Sequence, residues 1–272
     1  MMMVVRGTAP HMPYTNPIGG KLVNMSNKHD IKTYQKLSLG ASFFLEEAFK
    51  YLDTALKYEF ASILFGELLE TIEPNQEDRK TIDKLILPAT PIGMLQFDNK
   101  KVISEKTIKK IYSAWDNAQK RAENEKYKFG LNHSIDSTEI LGHINNMGFF
   151  METIINRHLL FLNQSRKIDD FSYSRISTSR IMERIVYIFK DELNKNRIHL
   201  NEVQNLFRLR NKTVHYTPDN AKILKPMVSE LIKIWNQCSK LLEKLEEKEN
   251  FVDGNFSKQI IYYSLKFQER WI

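Results

Sequence analysis

The chain has 272 residues, 42% of them hydrophobic, and a formal net charge of +7. That is enough for one large domain or two small ones around a real core, which excludes a chain disordered along its whole length. Its single cysteine, Cys238, excludes an internal disulfide framework, and no apolar run reaches the roughly 18 residues that a membrane-spanning helix needs. The excess of lysine and arginine suits a polyanionic partner such as RNA, and it equally suits plain solubility.

Residues 1–25 carry Pro, Gly and Thr without periodicity and lack the apolar core of a signal peptide. They read as a vector-derived leader or a flexible arm, with cytoplasmic location as the default. Residues 26–130 read as an N-terminal helical region. Over 28–72, Leu37, Ala41, Leu45, Ala48, Leu52 and Ala55 recur at helical spacing. Glu46 with Lys50 and Asp53 with Lys57 stand acid-first, the favourable order for helix-surface pairs. Gly66 weakens the run, which predicts two helices with a break near Tyr58, stopped by Pro74. A short helix is expected over 77–87, a Pro/Gly loop over 87–93 and a small hairpin over 94–103. A Lys-rich amphipathic helix follows over 105–128, with Ile108, Ile111, Tyr112 and Trp115 as its apolar line.

Residues 136–248 read as a bundle of four helices. Asp136 and Glu139 have capping-box spacing before an apolar run. The first helix carries Ile140, Ile144, Met147, Met151, Ile154, Ile155, His158 and Leu162 on one stripe. The second, over 174–194, uses Ile181, Ile185, Ile188 and Phe189. The third begins near Asn201 with Val203, Leu206, Phe207 and Arg210, and the fourth covers 221–247 with Leu224, Val228, Leu231, Trp235, Cys238, Leu242 and Leu245. On that stripe Cys238 is a small core residue rather than a nucleophile. The tail, 249–272, fits a strand or a helix; the helix face Phe256, Ile260, Tyr263, Phe267 and Trp271 is preferred because a lone strand has no partner. The expected fold is all-α, a helical bundle with an additional N-terminal helical region.

The third bundle helix ends in a polar cluster, Arg210-Asn211-Lys212-Thr213-Val214-His215, and Thr217-Pro218-Asp219 supplies the start signals of the next element. Arg210, the polar Asn211 and His215 after four intervening residues resemble the R-x4-6-H motif of the HEPN superfamily. The resemblance covers the bundle from about Ser137 to Glu247. It implies a metal-independent ribonuclease-like domain in which the substrate's own 2′-hydroxyl is the nucleophile. On that reading His215 transfers protons, Arg210 stabilises charge at phosphorus and Asn211 positions them. The chemistry fits these types: histidine titrates near neutral pH, and arginine stays charged with forked donors for phosphate oxygens. On a continuous helix, residues five apart diverge by about 140°, so the helix ends before His215 or the site is composite. The family pairs two motifs across a two-fold dimer, which implies a homodimer here.

Lys212 and the pair Arg180 and Arg184, four apart on the second bundle helix, are candidate RNA-backbone contacts; their stems could equally cover the core. Arg210 and His215 could instead cap the helix C-terminus. His158, on an apolar stripe, reads as a core histidine, and Glu152 as a solvated glutamate. No zinc-ligand spacing, phosphate-binding loop, dinucleotide fingerprint or nucleophile elbow is present, so no metal and no cofactor is expected. The leading functional expectation is an endoribonuclease of toxin or antiphage-defence type, with RNA as substrate and an antitoxin or regulatory protein as a further partner. The alternative is a non-catalytic HEPN-like module that binds a protein partner or a nucleotide.

Overall fold

Helices form wherever apolar residues repeat every three to four positions. The computed structural model describes residues 28–71, 105–214, 224–249 and 255–272. These hold α1 (Lys28–Glu70), α2 (Glu105–Asn124), α3 (Ile140–Gln164), α4 (Asp170–Ser177), α5 (Ile181–Ile188), α6 (Lys190–Asn194), α7 (Asn201–Val214), α8 (Val228–Glu249) and α9 (Phe256–Trp271). Among the described residues there is no strand, only an isolated antiparallel bridge between Ser134 and Met227. The fold is all-α. The tail takes its helical alternative: Phe256, Ile260, Phe267 and Trp271 are buried, while Ile261 and Leu265 are exposed. No described helix is long and apolar enough to cross a membrane.

The chain divides into two compact units. Unit 1 takes residues 1–43, 149–204 and 235–262; unit 2 takes 44–148, 205–234 and 263–272. In unit 1, Met151, Ile155, Leu159, Ile185, Phe189, Trp235, Cys238 and Leu242 form the core, and Phe150 meets Phe256 edge-on. Lys248 pairs with Glu192 at 2.7 Å, donates to the carbonyl of Ile188 and lies over the Phe189 ring, tying α8 to α5 and α6.

In unit 2, Leu45, Leu52, Leu56, Phe60, Ile144, Met147, Leu206, Val228 and Trp271 are buried. Glu59, in the C-terminal half of α1, accepts from the backbone N–H groups of Asp136 and Ser137 at 2.5 and 3.0 Å and pairs with His133. It thereby fixes the segment that leads into α3. The indole of Trp271 donates to Asp53 at 2.9 Å, and the Trp271 carbonyl accepts from Phe129 N–H. Gly142 of α3 has the Tyr51 ring against it: a Cβ there would lie 2.5 Å from the ring, so only glycine permits this approach.

Several expectations are corrected. Helix α1 runs unbroken through Tyr58 and Gly66. The face continues as Leu56, Phe60, Ala61 and Leu64, and their burial outweighs the roughly 1 kcal/mol that a helical glycine costs. At the other end the buried register is Tyr34, Ser38 and Ala41, and Leu37 is half-buried. In α2, Tyr112 points outward; the buried line is Thr107, Ile111, Ala114, Ala118 and Ala122. The single helix expected over 174–194 is three short ones. Thr178 and Ser179 hydroxyls bond back to carbonyls of the preceding turn, and Arg180 is extended at φ −63°, ψ 147°. Asp169, unrecognised in the sequence, caps α4 by accepting from Ser172 N–H at 2.8 Å. Asp136 does not cap α3; its carboxylate pairs with Lys225 at 2.6 Å, and Ser137 faces the Glu139 N–H instead. The last bundle helix begins at Val228, and Leu224 to Met227, expected within it, are not helical: Pro226 biases the residue before it to extended backbone, and the Pro226 carbonyl accepts from Ile135 N–H; residues 221–223 lie outside the described residues. The helix, loop and hairpin expected over 77–87, 87–93 and 94–103 lie outside the described residues.

Candidate functional site

Helix α7 is amphipathic. Val203, Leu206, Phe207 and Leu209 are buried, and Arg208 and Asn211 are exposed. On its unit 2 portion, Arg208 donates to Asn205 at 2.7 Å, and Asn205 in turn donates to Glu230 at 2.5 Å. The last described turn of the helix carries Arg210, Asn211, Lys212 and Thr213. Lys212 is the basic residue of that turn, where a cation complements the negative end of the helix dipole.

Arg210 is half-buried, and its stem lies on Gly148 of α3. A Cβ at Gly148 would come within 2.9 Å of the Arg210 Cγ and 3.5 Å of its Cβ. The Nε of Arg210 is shut off from solvent. Its carbonyl accepts from the Thr213 hydroxyl at 2.7 Å, and the same hydroxyl meets the side-chain oxygen of Asn145, almost one turn before Gly148 on α3. Asn145 and Gly148 together therefore hold the turn of α7 that bears the motif. Asn211 is exposed beside it. His215, with Thr217, Pro218 and Asp219, lies outside the described residues; the described helix extends to Val214.

No family model, no curated protein and no solved structure matches this chain. The site is therefore read from its own geometry.

Arg180 and Arg184 are in unit 1, whereas Arg210, Asn211 and Lys212 are in unit 2. The two do not share a helix face as the spacing suggests, because Arg180 is the extended residue before α5. Arg180 is exposed. Arg184 donates to the Ser179 carbonyl at 2.8 Å and to Asn156 at 2.7 Å, and it stands 3.6 Å from Glu152. Its forked donors are thus engaged within unit 1, and Glu152 faces that arginine.

A second polar constellation, missed in the sequence, is buried in unit 1. The carboxylate of Glu249, fully buried, accepts from Tyr34 Oη at 2.8 Å, Arg157 at 2.9 Å and His158 Nδ1 at 2.8 Å. Arg157 lies between the rings of Tyr34 and Phe256, 5.1 and 5.3 Å from their centroids. Burial raises the Glu249 carboxyl, but Arg157, His158 and Tyr34 outweigh it and hold the group below the usual range. Burial, opposed by Arg157 and reinforced by Glu249, pushes the Tyr34 hydroxyl far above its ordinary value. His158 is a core residue, as its stripe predicts, with Glu249 as the acceptor. The cluster has the side chains of an acid–base site but no access to solvent, so it works as architecture. One signal did announce it: Glu249 continues the α8 series Trp235, Cys238, Leu242, Leu245 in register, a charge on a core position.

The other buried histidine, His143 in unit 2, meets the Ala48 carbonyl through Nδ1 at 2.8 Å and Phe49 edge-on. Burial, partly offset by that bond, lowers it to about 4, so it is neutral at physiological pH. Burial raises the Cys238 thiol to about 12, which makes it inert as a nucleophile. Among the described residues no group of three or more His, Cys, Asp and Glu side chains stands close enough to hold a metal ion.

Proposed function

We propose that the chain is a metal-independent endoribonuclease of toxin or antiphage-defence type, with Arg210, Asn211 and His215 as its catalytic group. The observation that carries the reading is the last described turn of α7: Arg210 has its stem on Gly148, the Thr213 hydroxyl donates to the Arg210 carbonyl and meets Asn145, and Asn211 is exposed, one turn from His215 in sequence. Such a turn holds a cation and an amide at a helix end, where a phosphate can approach. In the reaction the 2′-oxygen attacks phosphorus, the bond to the 5′-oxygen breaks, and one proton passes from the nucleophile to the leaving group. His215 moves that proton and Arg210 stabilises the charged phosphorane. A homodimer brings two such turns to one site, and RNA is the substrate, with an antitoxin or regulatory protein as a further partner. Lys212, and Arg180 from its exposed position, are backbone contacts on this reading.

Cleavage of single-stranded RNA by the purified chain is expected to leave 2′,3′-cyclic phosphate and 5′-hydroxyl ends. It should be unaffected by chelators and absent on 2′-O-methyl RNA. His215→Ala and Arg210→Ala should each lose about 100- to 10,000-fold in rate while keeping wild-type helicity. Normal cleavage by both variants refutes the assignment, and sedimentation equilibrium that finds only monomer refutes the dimer. The buried Nε of Arg210 favours a second reading, a helical module that binds a partner and uses Arg210 structurally. A wild type inactive on structured and unstructured RNAs alike selects it.

A further inference from the structure

Unit 2 holds an open cavity of about 490 Å³ between the end of α1 and the beginning of α2. Lys106, Lys109 and Lys110 stand around it, with Ser113 and Asn117 on the next turns and Leu68 and Ala114 among its apolar residues. No Asp or Glu is among the described residues that line it. We propose that this groove binds the phosphate backbone of single-stranded nucleic acid. The inference goes beyond the cleavage reading and does not depend on it.

Three features select that ligand. First, the three lysines occupy the opening turns of a 20-residue helix, at the positive end of its dipole, where cations oppose helix stability. The helix places Arg121 in its last turn, the favourable end, paired with Glu125 at 2.6 Å. Neither Lys106 nor Lys110 has an ion-pair partner among the described residues. Helix stability therefore does not account for Lys106 or Lys110. Second, a small-molecule site is enclosed and mostly apolar with a few fixed polar groups. This one is open, and beside its apolar residues it carries lysines as its only charged side chains among the described lining residues, which suits an extended polyanion rather than an enclosed ligand. Third, Lys106 and Lys110 are about 6 Å apart along the helix axis, room for more than one phosphate. None of the described lining residues is aromatic, so base stacking is not provided for and the contact is independent of sequence.

The test is fluorescence anisotropy of a labelled, uncleavable 2′-O-methyl RNA 20-mer against the whole chain, over a range of sodium chloride concentrations. The groove variant carries Lys106→Gln, Lys109→Gln and Lys110→Gln. A control removes equal charge at Lys190, Lys233 and Lys240, exposed lysines elsewhere on the surface. The groove variant should bind at least about tenfold more weakly, with the log–log salt slope reduced by about 1.4 or more, at roughly 0.7 for each phosphate that Lys106 and Lys110 no longer neutralise. The control should change less than about threefold. Unchanged thermal melts show that both variants fold. Equal weakening in the two variants overturns the proposal, since net charge would then explain binding, and so does a wild type that fails to bind. Displacement of RNA by a poly-glutamate peptide at equal charge overturns it in favour of an acidic protein partner. Displacement by ATP at equal charge overturns it in favour of a nucleotide. Because the probe cannot be cut, an inactive enzyme that still binds through the lysines refutes the cleavage reading and leaves this one standing.

Discussion

Arg157 in unit 1 and Arg210 in unit 2 both rise from helices with apolar faces, and the chain uses them in opposite ways. Arg157 is 4% exposed, lies between two aromatic rings and donates to a carboxylate that is itself fully buried. Arg210 is half-buried at a helix end, with glycine under its stem and an exposed asparagine next to it. A cation matched inside the core is committed to the fold. Arg210 keeps part of its side chain in contact with solvent. The difference teaches that residue type alone does not mark a site: Tyr34, Arg157, His158 and Glu249 look more like catalytic machinery than the motif does, yet they face no solvent.

The largest effect expected is on stability in unit 1. Glu249→Ala strands Arg157 and His158 without their acceptor, and removing one partner of a buried pair costs about 3–5 kcal/mol. Arg210→Ala should cost about 1 kcal/mol, the centre of the distribution for single substitutions. Urea denaturation of the two variants measures both. A larger loss at Arg210 than at Glu249 would erase the contrast between them.

The units should also part company with pH. His143 has an unfolded value near 6.5 and a folded value of about 4. Its depressed value contributes stability in full above pH 6.5, and that contribution is lost as pH falls towards 4. The shift corresponds to about 3 kcal/mol. Glu249, held low, adds nothing to that slope until its own range below 4.5. Tyr34 has the opposite sign: its raised value gives stability that is present below its unfolded value near 10 and lost as pH rises. Acid should therefore loosen unit 2 first, and alkali unit 1. Denaturation of His143→Leu between pH 7 and 4 should show a flattened slope against wild type; an identical slope removes His143 as the cause.

The stripes were legible because burial imposes period, and period survives in sequence: Ile144 to Ile155 and Val228 to Leu245 read correctly as buried faces. The continuation of α1 through Gly66 was not legible, since long-range burial rather than local propensity decides it. The break at Thr178 to Arg180 was hidden because hydroxyl back-bonding competes with the helix without any Pro or Gly to mark it. At the motif, the sequence pointed to Arg210 and Asn211 but not to Asn145 or Gly148, whose roles exist only once α3 and α7 meet. Tyr34 and Arg157 were opaque for the same reason: their partner Glu249 is 215 and 92 residues away.

Gly148→Ala sharpens the contrast at intermediate size. The new methyl would stand 2.9 Å from Arg210 Cγ, near the root of that side chain rather than at its flexible tip. The arginine must change rotamer. Overpacking of this kind costs about 1–3 kcal/mol, and the guanidinium moves with the stem. Cleavage should fall to the level of Arg210→Ala while RNA binding is retained. Full activity in a folded Gly148→Ala protein would show that the seat under Arg210 does not position it.

A third arginine supplies the smallest effect. Arg166, just past the end of α3, holds φ at 55°, in the left-handed region that glycine enters freely and other residues avoid. The position exists because the helix must stop: Lys167 N–H donates back to the Leu162 carbonyl at 2.9 Å, closing the last turn as a glycine-type cap would. Nothing in this bond needs an arginine side chain. Arg166→Gly removes the backbone strain, about 1–2 kcal/mol, but frees the unfolded chain by about 0.5–1 kcal/mol. The net gain should be about 0.5 kcal/mol, read as a small rise in the urea midpoint with unchanged slope. Cleavage and RNA affinity should stay at wild-type values, because this arginine belongs to the backbone of unit 1 rather than to either charge cluster. A loss of stability instead would show that the Arg166 side chain makes a contact worth more than the strain it sits in.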